Sequence, residues 1–268
     1  EEKMKKYLSI FRTSFKQESK TVVNSITAVI SFVVIIYIFK MLWEFIYGGN
    51  GGGTLINGYS LNMMIWYMIM AEILMYTVNA RAVTKSFGND IKSGKIAYQL
   101  NKPYNYYAYQ VSSQSATFVW KLIFLLPAGI VMGLILLGPI PNFSAAYILP
   151  IFISLLLAIF LTCIIYGTIG LLSFWIEEAT PFTWIVQKLQ MLLGLFFPPE
   201  FFPAWVQPII NYSPIYAMMS GPCKLLANFS WDVFLQTTIS QVAYIIVFIA
   251  IGLLLYKIGT KKVNINGG

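Results

Sequence analysis

The chain lacks histidine altogether and carries only two cysteines, Cys163 and Cys223, in 268 residues. The first absence removes the imidazole that ordinarily ligates zinc or serves as the base of a catalytic triad. The second leaves no disulfide framework and no paired-thiol motif, since one cysteine falls inside an apolar run and the other outside one. Charge is scarce as well: 10% of residues are charged, against about 25% in ordinary soluble domains. No GxxxxGK[ST] phosphate loop is present, because the glycine-rich stretch GGNGGGT at 48–54 lacks both the lysine and the flanking strand and helix. The sequence therefore provides no ATPase site of that type.

What fills the chain is apolar. Hydrophobic residues make up 58% of it, and the mean hydropathy is +0.71. A soluble fold cannot hide so much apolar surface. A bilayer core of about 30 Å needs roughly 20 apolar residues per helix, so an all-α polytopic membrane protein with six spans would use most of this length. The formal charge of +8 sits in short basic stretches beside apolar runs, which is a topology signal and argues against nucleic acid as a partner.

Met4, Leu8, Phe11 and Phe15 recur at helical spacing, with Lys5, Lys6, Arg12 and Lys16 between them. That pattern predicts an amphipathic helix over 1–22 lying in the membrane interface, too polar for a cleaved signal peptide. Spans are expected at Val23–Tyr47, Leu61–Ala80, Ala116–Leu137, Tyr147–Ile176, Phe182–Phe197 and Phe234–Tyr256. The basic loop at 81–105 and the Lys257, Lys261 and Lys262 tail fall on one side, as does the N-terminus, and the positive-inside rule makes that side cytoplasmic. Lys224 is nearly alone on the other. The fifth span looks short, and the apolar stretch at 198–222 carries Pro203, Pro208 and Pro214. Proline ends or kinks helices, so an external re-entrant hairpin packed against other spans is predicted there, with an aromatic surface loop as the alternative.

Ionisable residues within spans are costly and need individual readings. Glu72 lies near the middle of the second span, with Lys121 and Lys188 as candidate partners. A structural ion pair, a place on a translocation path and a protonated acid all remain open for it. Lys40 and Glu44, four apart, predict a weak local pair. Gly129, Gly133, Gly167 and Gly170 predict close helix packing. Glu177 and Glu178 are similar to the acidic pair of prenyl-processing intramembrane proteases, but Phe182 stands where that pattern has Arg and histidine is missing, so that activity is excluded.

Four stretches then carry a resemblance. NDIKSGKIAYQLNKPYN at 89–105 reads as D-I-x-x-G-x-I-x-x-x-L-x-K-P; Phe174 and Trp175 end the fourth span; PPEFFPAWVQPIINYSPIYAMMSGP precedes the last span; YKIGTKKVNINGG closes the chain. Together they resemble the permease subunits of type-2 ABC exporters, in the branch that usually has six spans. PPEFF departs from the pattern, where many relatives have Gly with Ile or Val before the Pro. The resemblance implies that 1–268 is a single transmembrane permease domain in a prokaryotic cell membrane. It implies a partner permease, identical or related, and two copies of a cytoplasmic ATPase carrying ATP and Mg2+, with no cofactor in this chain. Phe87, Asp90, Ile91, Gly94, Lys95 and Pro103 would then belong to a coupling helix between spans 2 and 3. Glu72, Lys121 and Lys188 would line the path, and Phe197, Pro198, Pro199, Phe201 and Phe202 the external gate. An ion-coupled carrier working alone would need broken helices in both halves, and a membrane scaffold without a transport cycle would share the same sequence features.

Overall fold

The computed structural model describes residues 2–20, 22–48, 54–176 and 178–266, with side chains described between 5 and 262. Met4 and Glu177 from the readings above, and most of the glycine-rich loop, lie outside the described side chains. Among the described residues the chain is helical, without strands. Eleven α-helices follow in order: α1 Glu2–Glu18, α2 Val22–Ile46, α3 Leu61–Thr77, α4 Ala80–Lys92, α5 Lys95–Leu100, α6 Tyr106–Leu137, α7 Ile148–Leu171, α8 Thr180–Gln190, α9 Gln207–Asn211, α10 Gly221–Ala227 and α11 Trp231–Asn266.

Polar side chains fix several of the helix starts by accepting from backbone N–H groups left unpaired in a first turn. Ser60 caps α3 by accepting from Met63 N at 3.3 Å, Asn79 caps α4 from Ala82 N at 3.1 Å, and Asn105 caps α6 from Ala108 N at 3.0 Å. The Asn105 cap lies eleven residues before the expected third span at Ala116, so α6 projects well beyond its apolar run. Gly138 ends α6 at φ +81° and Gly94 separates α4 from α5 at φ +69°. Both conformations are easy only for residues without a Cβ.

The core is organised around α3 and α7. Every side chain from Met64 to Leu74 is buried, as expected of a helix apolar on all sides. On α2 and α11, by contrast, long runs of Val, Ile and Leu remain exposed, the arrangement for which lipid is the natural solvent. Glycines let α6 approach α3: a Cβ at Gly133 would lie 2.3 Å from Trp66, and one at Gly129 2.8 Å from Ile73. On α7, a Cβ at Gly170 would lie 2.7 Å from Phe87. Gly252 and Gly259 of α11 do the same against Tyr107 and Phe174. These contacts are the small-residue packing of membrane bundles.

Among the described residues five elements are long and apolar enough to cross a membrane, beginning at Val22, Leu61, Tyr106, Ala145 and Trp231. The sequence led us to expect six. The difference is α8, which runs on through a π-helical segment, Met191–Leu195, and then stops at Pro198. At 1.5 Å per residue the stretch from 180 to 195 covers about 24 Å, short of an apolar core of about 30 Å. The chain then makes a 3-10 turn at Pro199–Phe201, the short α9, and a second π-helical segment, Tyr216–Ser220, leading into α10. The two π segments pack on each other, with a Cβ at Gly194 falling 2.8 Å from Met219. Their backbone carbonyls are met by side chains: Ser220 Oγ donates to Leu193 O at 3.2 Å, Tyr67 Oη to Gly194 O at 2.6 Å, and Gln241 Nε2 to Ala217 O at 3.0 Å. Irregular backbone inside an apolar bundle requires this kind of compensation. The excursion continues to Asn228, six residues past the expected limit at Pro222, because α10 returns the chain to the α11 start.

Two ends of the bundle can be told apart by chemistry. At the basic end α1 lies along α6: Ser14 and Ser113 hydroxyls are 2.9 Å apart, Phe15 meets Trp120 edge-on at 5.2 Å, and Thr117 Oγ1 donates to Glu18 at 3.1 Å. The opposite end holds the turns at 54–60, 138–147 and 196–215.

Candidate functional site

A cavity of about 830 Å3 opens between α2, α3, α6 and α8, within the size range of small-molecule sites. It brings together Glu72, Lys121 and Lys188, three residues distant in sequence, and adds Arg81. Glu72 is buried, at 5% exposure. Of the three readings left open for Glu72, the ion pair with Lys121 or Lys188 is not formed: among the described residues no cation lies within pairing distance of Glu72. Lys188 Nζ rests 3.8 Å from Met191 Sδ, and Lys121 feels the carboxylate of Glu18, one turn away on the Thr117 side. Arg81 stacks its guanidinium 4.8 Å above the Trp184 ring, a cation–π contact spanning α4 and α8. The remaining walls are graded. Thr27, Ser31, Asn79 and Gln187 share the lower part with the charges, while Phe39, Leu195 and Phe196 line the part nearer the opposite end.

The six residues assigned to the coupling segment divide into two groups. Phe87 is fully buried, wedged against Gly170 and edge-on to Tyr106 at 5.5 Å. Asp90 accepts from Tyr106 Oη at 2.8 Å and Gln110 Nε2 at 3.2 Å, and Lys95 stands 3.4 Å away. These two fasten α4 to α6 and α7, with Ile91 half-buried beside them. Gly94, Lys95 and Pro103 are exposed, as are Lys92 and Tyr98. The α4–α5 corner is therefore a projecting knob with a rigid root.

At the opposite end the residues expected to form a gate make one aromatic cap. Trp43 of α2 meets Phe197 at 6.2 Å and Phe201 at 5.8 Å, and Tyr59 meets Phe201 at 5.9 Å. Phe202 stands edge-on to Phe197 at 6.3 Å. Pro198 and Pro199 are buried and begin the 3-10 turn that aims these rings. Beneath them lies a polar lock. Glu200 pairs with Lys224 at 2.5 Å and accepts from Tyr59 Oη at 3.1 Å, while Tyr47 Oη donates to Tyr59 O at 2.7 Å. Burial and the neighbouring Glu200 carboxylate push the Tyr59 phenol far above its usual ionisation range. Sequence reasoning missed this lock, along with Arg81 and Trp184. Its members are 141 residues apart in the case of Tyr59 and Glu200, and no local pattern joins them. Lys40 and Glu44 do form their local pair, at 2.5 Å.

No curated protein matches the chain. The family described as ABC-2 family transporter protein matches residues 32–267, a stretch that runs from the middle of α2 through α11 and contains most of the cavity wall, the projecting knob and the aromatic cap. The chain is thus a transport permease that belongs to the ABC-2 transporter family, a multi-pass membrane component and not itself the catalytic one.

Proposed function

We propose that this chain is the transmembrane subunit of an ATP-driven exporter and forms half of a translocation path shared with a second permease, identical or related. Two copies of a cytoplasmic ABC ATPase, holding ATP and Mg2+, supply the energy. The basic end faces the cytoplasm with both termini. Thr180–Leu195 acts as a sixth, shortened crossing, and the re-entrant segment at 198–228 closes the external leaflet above it. The observation that carries the reading is the α4–α5 knob. Its exposed face, with Lys92, Gly94, Lys95 and Tyr98, offers a docking surface, and its root is clamped by Phe87 against α7 and by the bonds of Asp90 to α6. A rigid lever of this kind passes a displacement at its tip into α6 and α7. From there it reaches α3 through the glycine contacts at Gly129 and Gly133.

The transport cycle follows from contacts that differ between states. The Glu72 cavity is open below and capped above by the aromatic cluster and the Glu200 lock. ATP binding shifts the equilibrium toward an arrangement in which the cap parts and the cavity narrows, as linkage requires when the ATPase grips the knob more tightly in that state. Glu72, Lys121 and Lys188 then lie on the substrate's route, and Phe197, Phe201 and Phe202 act as the external gate. A photo-crosslinking amino acid at Tyr98 tests the docking face in native membranes. The expected product is an adduct with a soluble P-loop ATPase, absent when the same group is placed at lipid-exposed Ile135. An adduct with no nucleotide-binding protein at Tyr98 would refute the assignment.

A further inference from the structure

We infer that the cavity takes an amphiphile with a single anionic head and an apolar body, a substrate class that rests on the permease reading above. Charge is the first argument. Arg81, Lys121 and Lys188 face the cavity against one acid, Glu72. Glu18 offsets Lys121 from outside the wall. With those five side chains in their ordinary charge states, one positive charge is left over, which a carboxylate or phosphodiester would neutralise. Among the described residues neither Arg81 nor Lys188 has a carboxylate partner within ion-pair distance. Arg81 is held in place by Trp184 and not by an acid. Its planar fork is therefore positioned with its donors free for an oxyanion.

Shape is the second argument. The charged groups gather toward the basic end of the cavity, and the walls turn to Phe39, Leu195 and Phe196 toward the cap. Along α8 from Trp184 to Phe196 this covers about 18 Å at 1.5 Å per residue. A molecule with its head at Arg81 and Lys188 lays its apolar part along that upper wall. Glu72 shares the cavity wall with the three cations and disfavours a second negative charge in the site. Arg81, Lys121 and Lys188 would repel a cation at the head position.

The test uses the chain purified with its bound ATPase and placed in nanodiscs of zwitterionic lipid. Two probes share one chain length and a dansyl group, one ending in a carboxylate and the other in an amine. Binding is read as saturable energy transfer from tryptophan, Trp184 being part of the wall. The carboxylate is expected to bind and the amine not. Arg81→Gln and Lys188→Gln should each weaken carboxylate binding roughly tenfold or more, the scale of a charged hydrogen bond. Lys188→Arg should restore it, Glu72→Gln should tighten it, and Lys261→Gln, far from the cavity, should leave it unchanged. Phosphatidylglycerol added to the nanodisc separates two sources of the same chemistry. Competition supports a membrane lipid as the occupant, and its absence supports a free lipophilic acid. Preferential amine binding that Glu72→Gln abolishes would overturn the inference, as would carboxylate binding indifferent to both glutamine substitutions. ATP hydrolysis in the same sample reads the permease assignment separately. Hydrolysis without carboxylate binding overturns the substrate class alone; carboxylate binding without hydrolysis overturns the exporter reading and keeps the site.

Discussion

Replacing Asp90 asks whether this residue anchors the knob or touches a partner. Its carboxylate, 13% exposed, accepts from Tyr106 Oη at 2.8 Å and from Gln110 Nε2 at 3.2 Å. Hydrogen bonds to a charged group contribute about 1.5–3 kcal/mol each, and a deserted buried donor adds its own desolvation penalty. Gln110 Nε2 also donates to Tyr106 Oη at 2.9 Å, so part of the network survives in Asp90→Ala and the two losses do not add fully. The expected cost of Asp90→Ala is about 3 kcal/mol. Asp90→Asn keeps one acceptor oxygen and should cost about 1–1.5 kcal/mol, as a neutral bond replaces a charged one. Lys95→Ala should cost under about 1 kcal/mol, because its side chain is 60% exposed and the pair is 3.4 Å apart. Equilibrium unfolding by SDS titration in mixed micelles ranks the three variants. The order wild type, Lys95→Ala, Asp90→Asn, Asp90→Ala is predicted. An Asp90→Ala protein as stable as wild type, yet unable to stimulate a bound ATPase, would refute the anchoring argument and place the carboxylate at the docking surface.

Gly133→Ala should destabilise the bundle by about 1–3 kcal/mol, since the added methyl group meets the Trp66 ring at 2.3 Å; a thermal midpoint equal to wild type would mean that the ring moves aside freely. Phe87→Ala empties a fully buried ring site against Gly170 and should cost about 3–5 kcal/mol by the same unfolding measurement. Glu200→Gln leaves the Lys224 ammonium without its carboxylate and should loosen the cap. The readout is faster maleimide labelling of buried Cys223, with Cys163 as the slow internal reference, and an unchanged rate would show that the aromatic rings alone hold the cap shut.

Much of the architecture was legible because lipid imposes a simple rule. Apolar runs long enough to cross a bilayer must be helical, and basic flanks orient them. The starts of α2, α3 and α7 fall within a residue of the positions set by hydropathy. The start of α6 did not, because its first turns are held by the Asn105 cap and by contacts with α1, which carry no hydropathy signal. The prolines at 198, 199, 203, 208 and 214 announced an irregular segment. They did not announce the π-helical pair, whose existence depends on Tyr67, Ser220 and Gln241 supplying donors from three different helical elements.

The site was legible residue by residue but not as an arrangement. Glu72, Lys121 and Lys188 stood out as ionisable groups in apolar runs, and they do line one cavity. Of the readings left open for Glu72, the ion pair is not formed; Lys188 instead lies beside Met191, one turn on along its own helix, and Lys121 lies near Glu18, a neighbour only in space. Asp90 entered through a motif and Phe87 through its place just before it, and neither signal says which residues point inward. Burial decides that: the apolar ring and the hydrogen-bonded acid form the root, and the glycine, lysine and proline form the tip.

The central claim is that this permease works on an ATPase carried by other chains. Its most direct test is affinity purification from the native membrane in mild detergent, with partner identification by mass spectrometry and ATP hydrolysis measured in the same eluate. Co-purification of a soluble P-loop ATPase, with hydrolysis that Asp90→Ala diminishes, is the predicted result. Recovery of the chain without any nucleotide-binding protein and without hydrolysis would contradict it.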